Sequence, residues 1–143
     1  MKLLLKKGTT SKQIYVFMYN SSTGVGINTA IANMTGYYIR EGQSSATNLS
    51  LTGTGAVVGT WNSTSAGGAM AAVDATHATG LYTLDLPNAA LANGANTVAV
   101  VIQDAGSNNI APCPVEIQLV DFDPNDSTGK LGLARKGRPW GTR

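Results

Sequence analysis

The residues in this chain that could do chemistry are few, and their spacing argues against most of what they could do. His77 is the only histidine, so no triad, zinc cluster or relay needing a second imidazole can be assembled. It reads as a polar residue in a loop just before a strand. Asp121-Phe122-Asp123-Pro124-Asn125 imitates the opening of a calcium loop. Position six of that loop is Asp126 instead of glycine, however, and position twelve is Gly132 instead of glutamate, so the pattern fails where geometry and charge are fixed. A looser cation site on Asp121, Asp123 and Asp126 is the remaining option, against a solvated turn. The glycine-rich Thr52–Gly59 stretch lacks the Gly-Lys-Ser/Thr ending of a phosphate loop, and no serine sits in a G-x-S-x-G elbow. Cys113 lies between Pro112 and Pro114 and reads as a small buried hydrophobe; a single cysteine forms no internal disulfide. We therefore expect no catalytic residue, no cofactor and no metal, and a protein that is not an enzyme.

Charge supplies a sharper signal. The net charge is only +2, but the distribution is uneven. Five bases and no acid fall within residues 1–40, all eight acids and no base within 41–126, and five bases and no acid within 127–143. An acidic body with basic ends can attract copies of itself or an acidic neighbour. The last stretch, Lys130 to Arg143, adds Leu131, Leu133 and Trp140 to Arg135, Lys136, Arg138 and Arg143. Such a segment could touch nucleic acid. The acidic middle and the want of a basic, aromatic-studded sheet favour a protein surface instead, where Arg and Trp are the anchoring types.

These residues need elements to carry them. Charged residues make up 13% of the chain, and Gly, Ser, Thr, Asn and Ala dominate the rest, a profile of short strands and tight turns. Gly80–Leu86 alternates and stops at Pro87, Asn88–Asn93 is long enough for one helical turn, and Thr97–Gln103 is β-branched enough for a strand buried on both faces. Lys12–Tyr19 sets Ile14, Val16 and Met18 against Tyr15, Phe17 and Tyr19, two apolar faces that predict cover on both sides, by this chain or by a neighbouring subunit. Gly36–Glu41, Thr47–Leu51 and Pro114–Phe122 complete the firm strands. Residues 63–75 carry little pattern. Three consecutive leucines, Leu3–Leu5, are too short for a secretion signal core, and no apolar run approaches membrane-spanning length. The expectation is a soluble protein that is not exported. The layout predicts an N-terminal arm (1–11), a β-sandwich domain (12–123) and a basic C-terminal tail (124–143).

Two resemblances rest on particular residues. Gly80-Leu81-Tyr82, Leu91-Ala92-Asn93-Gly94, Thr97-Val98-Ala99-Val100 and Asp104-Ala105-Gly106-Ser107-Asn108 resemble the last strands of bacterial immunoglobulin-like modules. This implies an all-β, immunoglobulin-like antiparallel sandwich with extended N- and C-terminal arms. Lys7–Ser11, Ser21–Gly26, Tyr37–Gly42, Val73–His77, Gly80–Asn88 and Pro114–Leu119 together resemble small virion proteins of tailed bacteriophages. That implies a structural protein of the particle, assembled in the host cytoplasm and forming homo-oligomers. A capsid decoration (cement) protein that binds the major capsid protein and stabilises the head shell comes first; a tail, neck, baseplate or fibre component comes second. The expected anchors are Leu3, Leu4, Leu5, Lys6 and Lys7 at one end and Leu131, Leu133, Arg135, Lys136, Arg138, Trp140 and Arg143 at the other, with no membrane and no nucleic-acid role. A carbohydrate- or receptor-binding module stacking ligand on Tyr37, Tyr38, Trp61 and Tyr82 is the alternative from another class.

Overall fold

A computed structural model describes residues 1–63 and 66–124. They form eight strands: β1 (Lys2–Lys6), β2 (Gln13–Phe17), β3 (Met34–Arg40), β4 (Thr47–Asn48), β5 (Met70–Asp74), β6 (Ala78–Asp85), β7 (Thr97–Asp104) and β8 (Cys113–Val120), with a 3-10 turn at Ile31–Asn33. The protein is all-β, with two sheets ordered β1-β8-β7-β3-β4 and β2-β6-β5. Every pairing is antiparallel except β1 with β8, which is parallel.

Alternation explains which residues face inward. On β7 and β8, Val98, Val100, Ile102, Val115, Ile117 and Leu119 are buried while their neighbours reach the surface, the period-two division of strands with one covered face. The expectation that β7 is buried on both faces is thus corrected: Thr97, Ala99 and Gln103 are exposed. Ile14, Val16, Tyr82 and Leu84 from the three-stranded sheet join those residues in a single hydrophobic cluster. Pro114 is tolerated inside β8 because it stands at the strand's start. The edge it shares with Glu116 faces β1, where Glu116 N–H donates to Met1 O (2.8 Å), so the missing N–H of Pro114 takes no bond from the β7 side of the strand.

The N-terminus departs from expectation. Residues 2–6 are not an arm lying outside the domain; they form β1, registered from Lys2↔Glu116 to Lys6↔Val120. Leu5 is buried (8% exposed) and Leu3 packs against the same core. The physical reason is the alternation of Leu3 and Leu5 with Lys2, Leu4 and Lys6, which suits a strand with one wet face. The tail residues Leu131, Leu133, Arg135, Lys136, Arg138, Trp140 and Arg143 lie outside the described residues.

Two close approaches shape the ends of the sheets. Gly80 has φ +92°, and a Cβ there would run into the Met18 carbonyl and lie 2.8 Å from Gly26 Cα. The absence of a side chain lets residues 25–27 lie against β6, where Ile27 N–H reaches Met18 O (3.1 Å). At the other end, Arg40 Nη2 donates to Ala92 O (2.6 Å) and Asn93 O (2.7 Å), satisfying carbonyls of the single turn after Pro87.

Candidate binding surface

β2 is an edge strand of the three-stranded sheet. Ile14 and Val16 point into the core, and Met18 follows just beyond the strand, so Tyr15, Phe17 and Tyr19 stand on the opposite face. The sequence predicts a cover on that face. In this chain it is open: Tyr15 is 54% exposed, Phe17 47% and Tyr19 37%. Phe17 and Tyr19 stack with ring centroids 6.3 Å apart and planes 21° from parallel, a geometry that favours offset aromatic contact.

Neighbouring segments lengthen the stripe. Gln13 Oε1 accepts Gly59 N–H (2.7 Å), and its Nε2 donates to Asp85 Oδ1 (2.7 Å) and Val57 O (3.1 Å). This ties the exposed Val57–Val58 turn to the start of β2. At the far end Tyr19 bridges Gly26, and Asn20 N–H donates to Val25 O (2.9 Å), which brings exposed Val25 alongside. Six of the nine exposed large hydrophobic side chains among the described residues lie on β2, just beyond it, or on these flanking loops. The apolar surface is therefore concentrated, as at interaction sites, and not scattered. A cleft of about 350 Å³ separates β2 from β1 and is lined by Met1, Leu3, Leu4, Leu5, Lys12 and Tyr15, among others. Leu4, 44% exposed, is the member of the leucine run that reaches solvent there. Leu5 cannot serve as an external anchor without leaving the core, which corrects that expectation and weakens it for half-buried Leu3. Lys6 is exposed, and Lys7 Nζ pairs with Asp121 at 3.1 Å.

Under the stripe lies a buried polar node. Asp85 has no solvent exposure, and its carboxylate accepts from Gln13 Nε2 and from Asn62 N–H (2.7 Å). These bonds hold the 57–62 loop over the outer face of β6. The side chain acts as a fixture for that loop.

Other chemistry-bearing residues are dispersed. Asp74 Oδ2 lies 3.0 Å from His77 Nδ1, and Asp74 Oδ1 accepts the Thr76 and His77 N–H groups. These contacts, the His77 backbone N–H foremost, lower the Asp74 pKa. This is a self-contained exposed turn. Asp104 is lowered to about 2, first by Gly106 N–H (2.9 Å) and then by Asn108 and Ile110 donors, against a raising contribution from desolvation. Cys113 is half-buried against the core, and burial pushes its thiol up despite an opposing hydrogen bond from the Phe17 backbone. Asp121 is engaged by Lys7, and Asp126 lies outside the described residues. Among the described residues no group of three or more His, Cys, Asp or Glu could hold a metal ion, and no helix is long and apolar enough to cross a membrane.

The aromatics expected to stack on a ligand are placed otherwise. Tyr82 is 1% exposed, and its hydroxyl accepts Thr29 N–H (2.8 Å), pinning the 20–30 loop to the core. Tyr38 is buried. Trp61 is half-buried, its indole donating to Leu86 O (3.0 Å), and Tyr37 is half-buried on the outer face of β3. The exposed row on β2 is legible in the sequence as an apolar face, but not as an open one, because alternation alone cannot say which sheet face gains a cover. Protein-family profiles, curated sequences and solved structures give no match to this chain.

Proposed function

We propose that this chain is a non-enzymatic structural protein of a tailed-phage particle: a decoration protein that seats on the head shell. Its framework in this reading is an immunoglobulin-like sandwich. The strand orders β1-β8-β7-β3-β4 and β2-β6-β5, the parallel seating of β1 beside β8 and the shared core support that framework. The observation that carries the docking part is the open row Tyr15, Phe17 and Tyr19, continued by Leu4 across the cleft. Large aromatic side chains on a rigid strand bury much area at little entropic cost, which suits an interface anchor. The virion assignment rests on the sequence resemblance, and so do the homo-oligomeric state and the major capsid protein as partner.

Copy number in purified particles tests it. Hundreds of copies would support a decoration protein, since the shell offers that many equivalent sites. About six to a few dozen would move the protein to the tail, neck or baseplate. Absence from the particle would overturn both.

The same row favours one second reading, a glycan- or receptor-binding module. Stacked Phe17 and Tyr19 with Tyr15 beside them would replace the aromatics that the sequence singles out, of which Tyr38 and Tyr82 are buried. A glycan array without hits would remove it.

A further inference from the structure

The cleft between β1 and β2 is bordered by two sheet edges, and the ladder pattern fixes which backbone groups face it. Glu116 N–H donates to Met1 O (2.8 Å) and Lys7 N–H to Val120 O (2.8 Å). Between them the register runs unbroken from Lys2↔Glu116 to Lys6↔Val120. In such a ladder Met1, Leu3, Leu5 and Lys7 bond to β8, and the peptide groups of Lys2, Leu4 and Lys6 turn away from it. Lys6 O is taken by Thr9 N–H (3.2 Å) and Thr9 Oγ1 (2.7 Å). The N–H groups of Lys2, Leu4 and Lys6 and the carbonyls of Lys2 and Leu4 have no partner among the described residues.

β2 presents the same kind of border. Lys12 O accepts Leu86 N–H (2.9 Å) and Met18 N–H donates to Gly80 O (2.7 Å). Ile14 and Val16 between them therefore serve β6, and the peptide groups of Gln13 and Tyr15 face outward. Further along, the seam closes: the Phe17 backbone bonds to the Cys113 thiol, and Tyr19 O accepts Ala111 N–H (2.9 Å). The opening is thus confined to Met1–Leu5 on one side and Lys12–Tyr15 on the other, around about 350 Å³.

An exposed edge is a template for another strand, and charge decides which kind. Lys2, Leu4 and Lys6 share the outer face of β1, and Lys12 lines the cleft. Lys6 and Lys12 have no ion-pair partner among the described residues. Lys2 meets Glu116 at 3.2 Å with both side chains more than half exposed, a weak contact that a second carboxylate can share. A second copy of β1, laid antiparallel and centred on Leu4, would set Lys2 against Lys6 twice, and like charges directly opposite are unfavourable. A strand carrying acids at those positions is favoured instead. On the inner side Leu3 and Leu5 border the cleft, so the alternate side chains of an added strand meet an apolar surface there.

We propose that the β1 edge takes up an extended acidic segment of the partner protein, one that alternates acidic and apolar side chains. This rests on the docking reading above, to which it adds the partner's chemistry. The added strand pairs with Lys2, Leu4 and Lys6 through their free N–H and C=O groups. Its carboxylates stand beside Lys2 and Lys6, and its apolar side chains fill the cleft. Main-chain bonds supply affinity, and the alternating side chains supply specificity.

The probe is the peptide Thr-Glu-Val-Thr-Val-Glu-Thr, blocked at both ends and titrated into the full chain under amide NMR and hydrogen exchange. The Lys2, Leu4 and Lys6 amides are expected to shift, and Leu4 N–H to exchange at least about tenfold more slowly once bonded. The charge-reversed peptide, with Lys in place of Glu, should bind at least about tenfold more weakly. Leu4→Pro removes an N–H that β8 does not use; it should abolish binding while the β8 signals stay in place. Lys6→Glu leaves the edge groups intact and should reverse the preference between the two peptides. Shifts absent from β1, an unprotected Leu4 N–H or equal binding of both peptides would overturn the proposal, as would undiminished binding to Leu4→Pro. Peptide bound at β1 by a protein that is absent from phage particles would remove the virion reading and leave this one standing.

Discussion

Asp85 carries a carboxylate with no solvent exposure, held by Gln13 Nε2 and Asn62 N–H. Asp85→Ala would strip both donors of this acceptor and release the 57–62 loop, at a cost of about 2–3 kcal/mol in urea unfolding. Asp104 works at the surface and by charge. Its folded pKa is about 2 against an ordinary 3.8, so its contribution is present above the unfolded value and lost as pH falls through the folded one. Asp74, also lowered, acts in the same direction. The melting temperature is expected to fall between about pH 4 and pH 2, and Asp104→Asn to flatten part of that fall.

At the scale of elements, β1 gives the sharpest expectation. Leu5→Ala should cost about 2–4 kcal/mol of unfolding free energy, as for a buried leucine; an external arm would lose almost nothing. Strands β2, β3, β6, β7 and β8 are legible in the sequence because Ile14–Tyr19, Tyr37–Arg40, Tyr82–Leu86, Thr97–Gln103 and Val115–Leu119 carry dense β-branched or alternating patterns. β1 is not, because Lys2-Leu3-Leu4-Leu5-Lys6 has an apolar residue on its wet face, which masks the alternation. β5 is hidden for another reason: Met70-Ala71-Ala72-Val73-Asp74 has side chains too small and uniform to mark a face. Its pairing with β6 is set by register, Met70↔Leu84 through Ala72↔Tyr82, and by a shift before Asp74. The candidate site is half legible: Tyr15, Phe17 and Tyr19 stand out as an apolar face, but only the tertiary arrangement leaves that face open.

For the molecule as a whole, the fold and the proposed docking row fall on different residues. Phe17→Ser removes a ring that is 47% exposed, so stability should change by less than about 1 kcal/mol. Binding to the partner should weaken by about thirtyfold or more if Phe17 is a central anchor. Equal loss of stability and binding would show that the row is structural.

The parallel seating of β1 beside β8 has a mechanical consequence. Chain entering at Met1 and chain leaving after Val120 depart from opposite ends of one ladder, whose pairs run from Lys2↔Glu116 to Lys6↔Val120. Tension applied through those two ends is directed along the strands and loads the pairs together in shear, where an antiparallel pair would peel one bond at a time. Resistance of this kind is governed by the unfolding rate, not by equilibrium stability. A domain held at both of these ends would resist until the whole β1–β8 ladder slid at once.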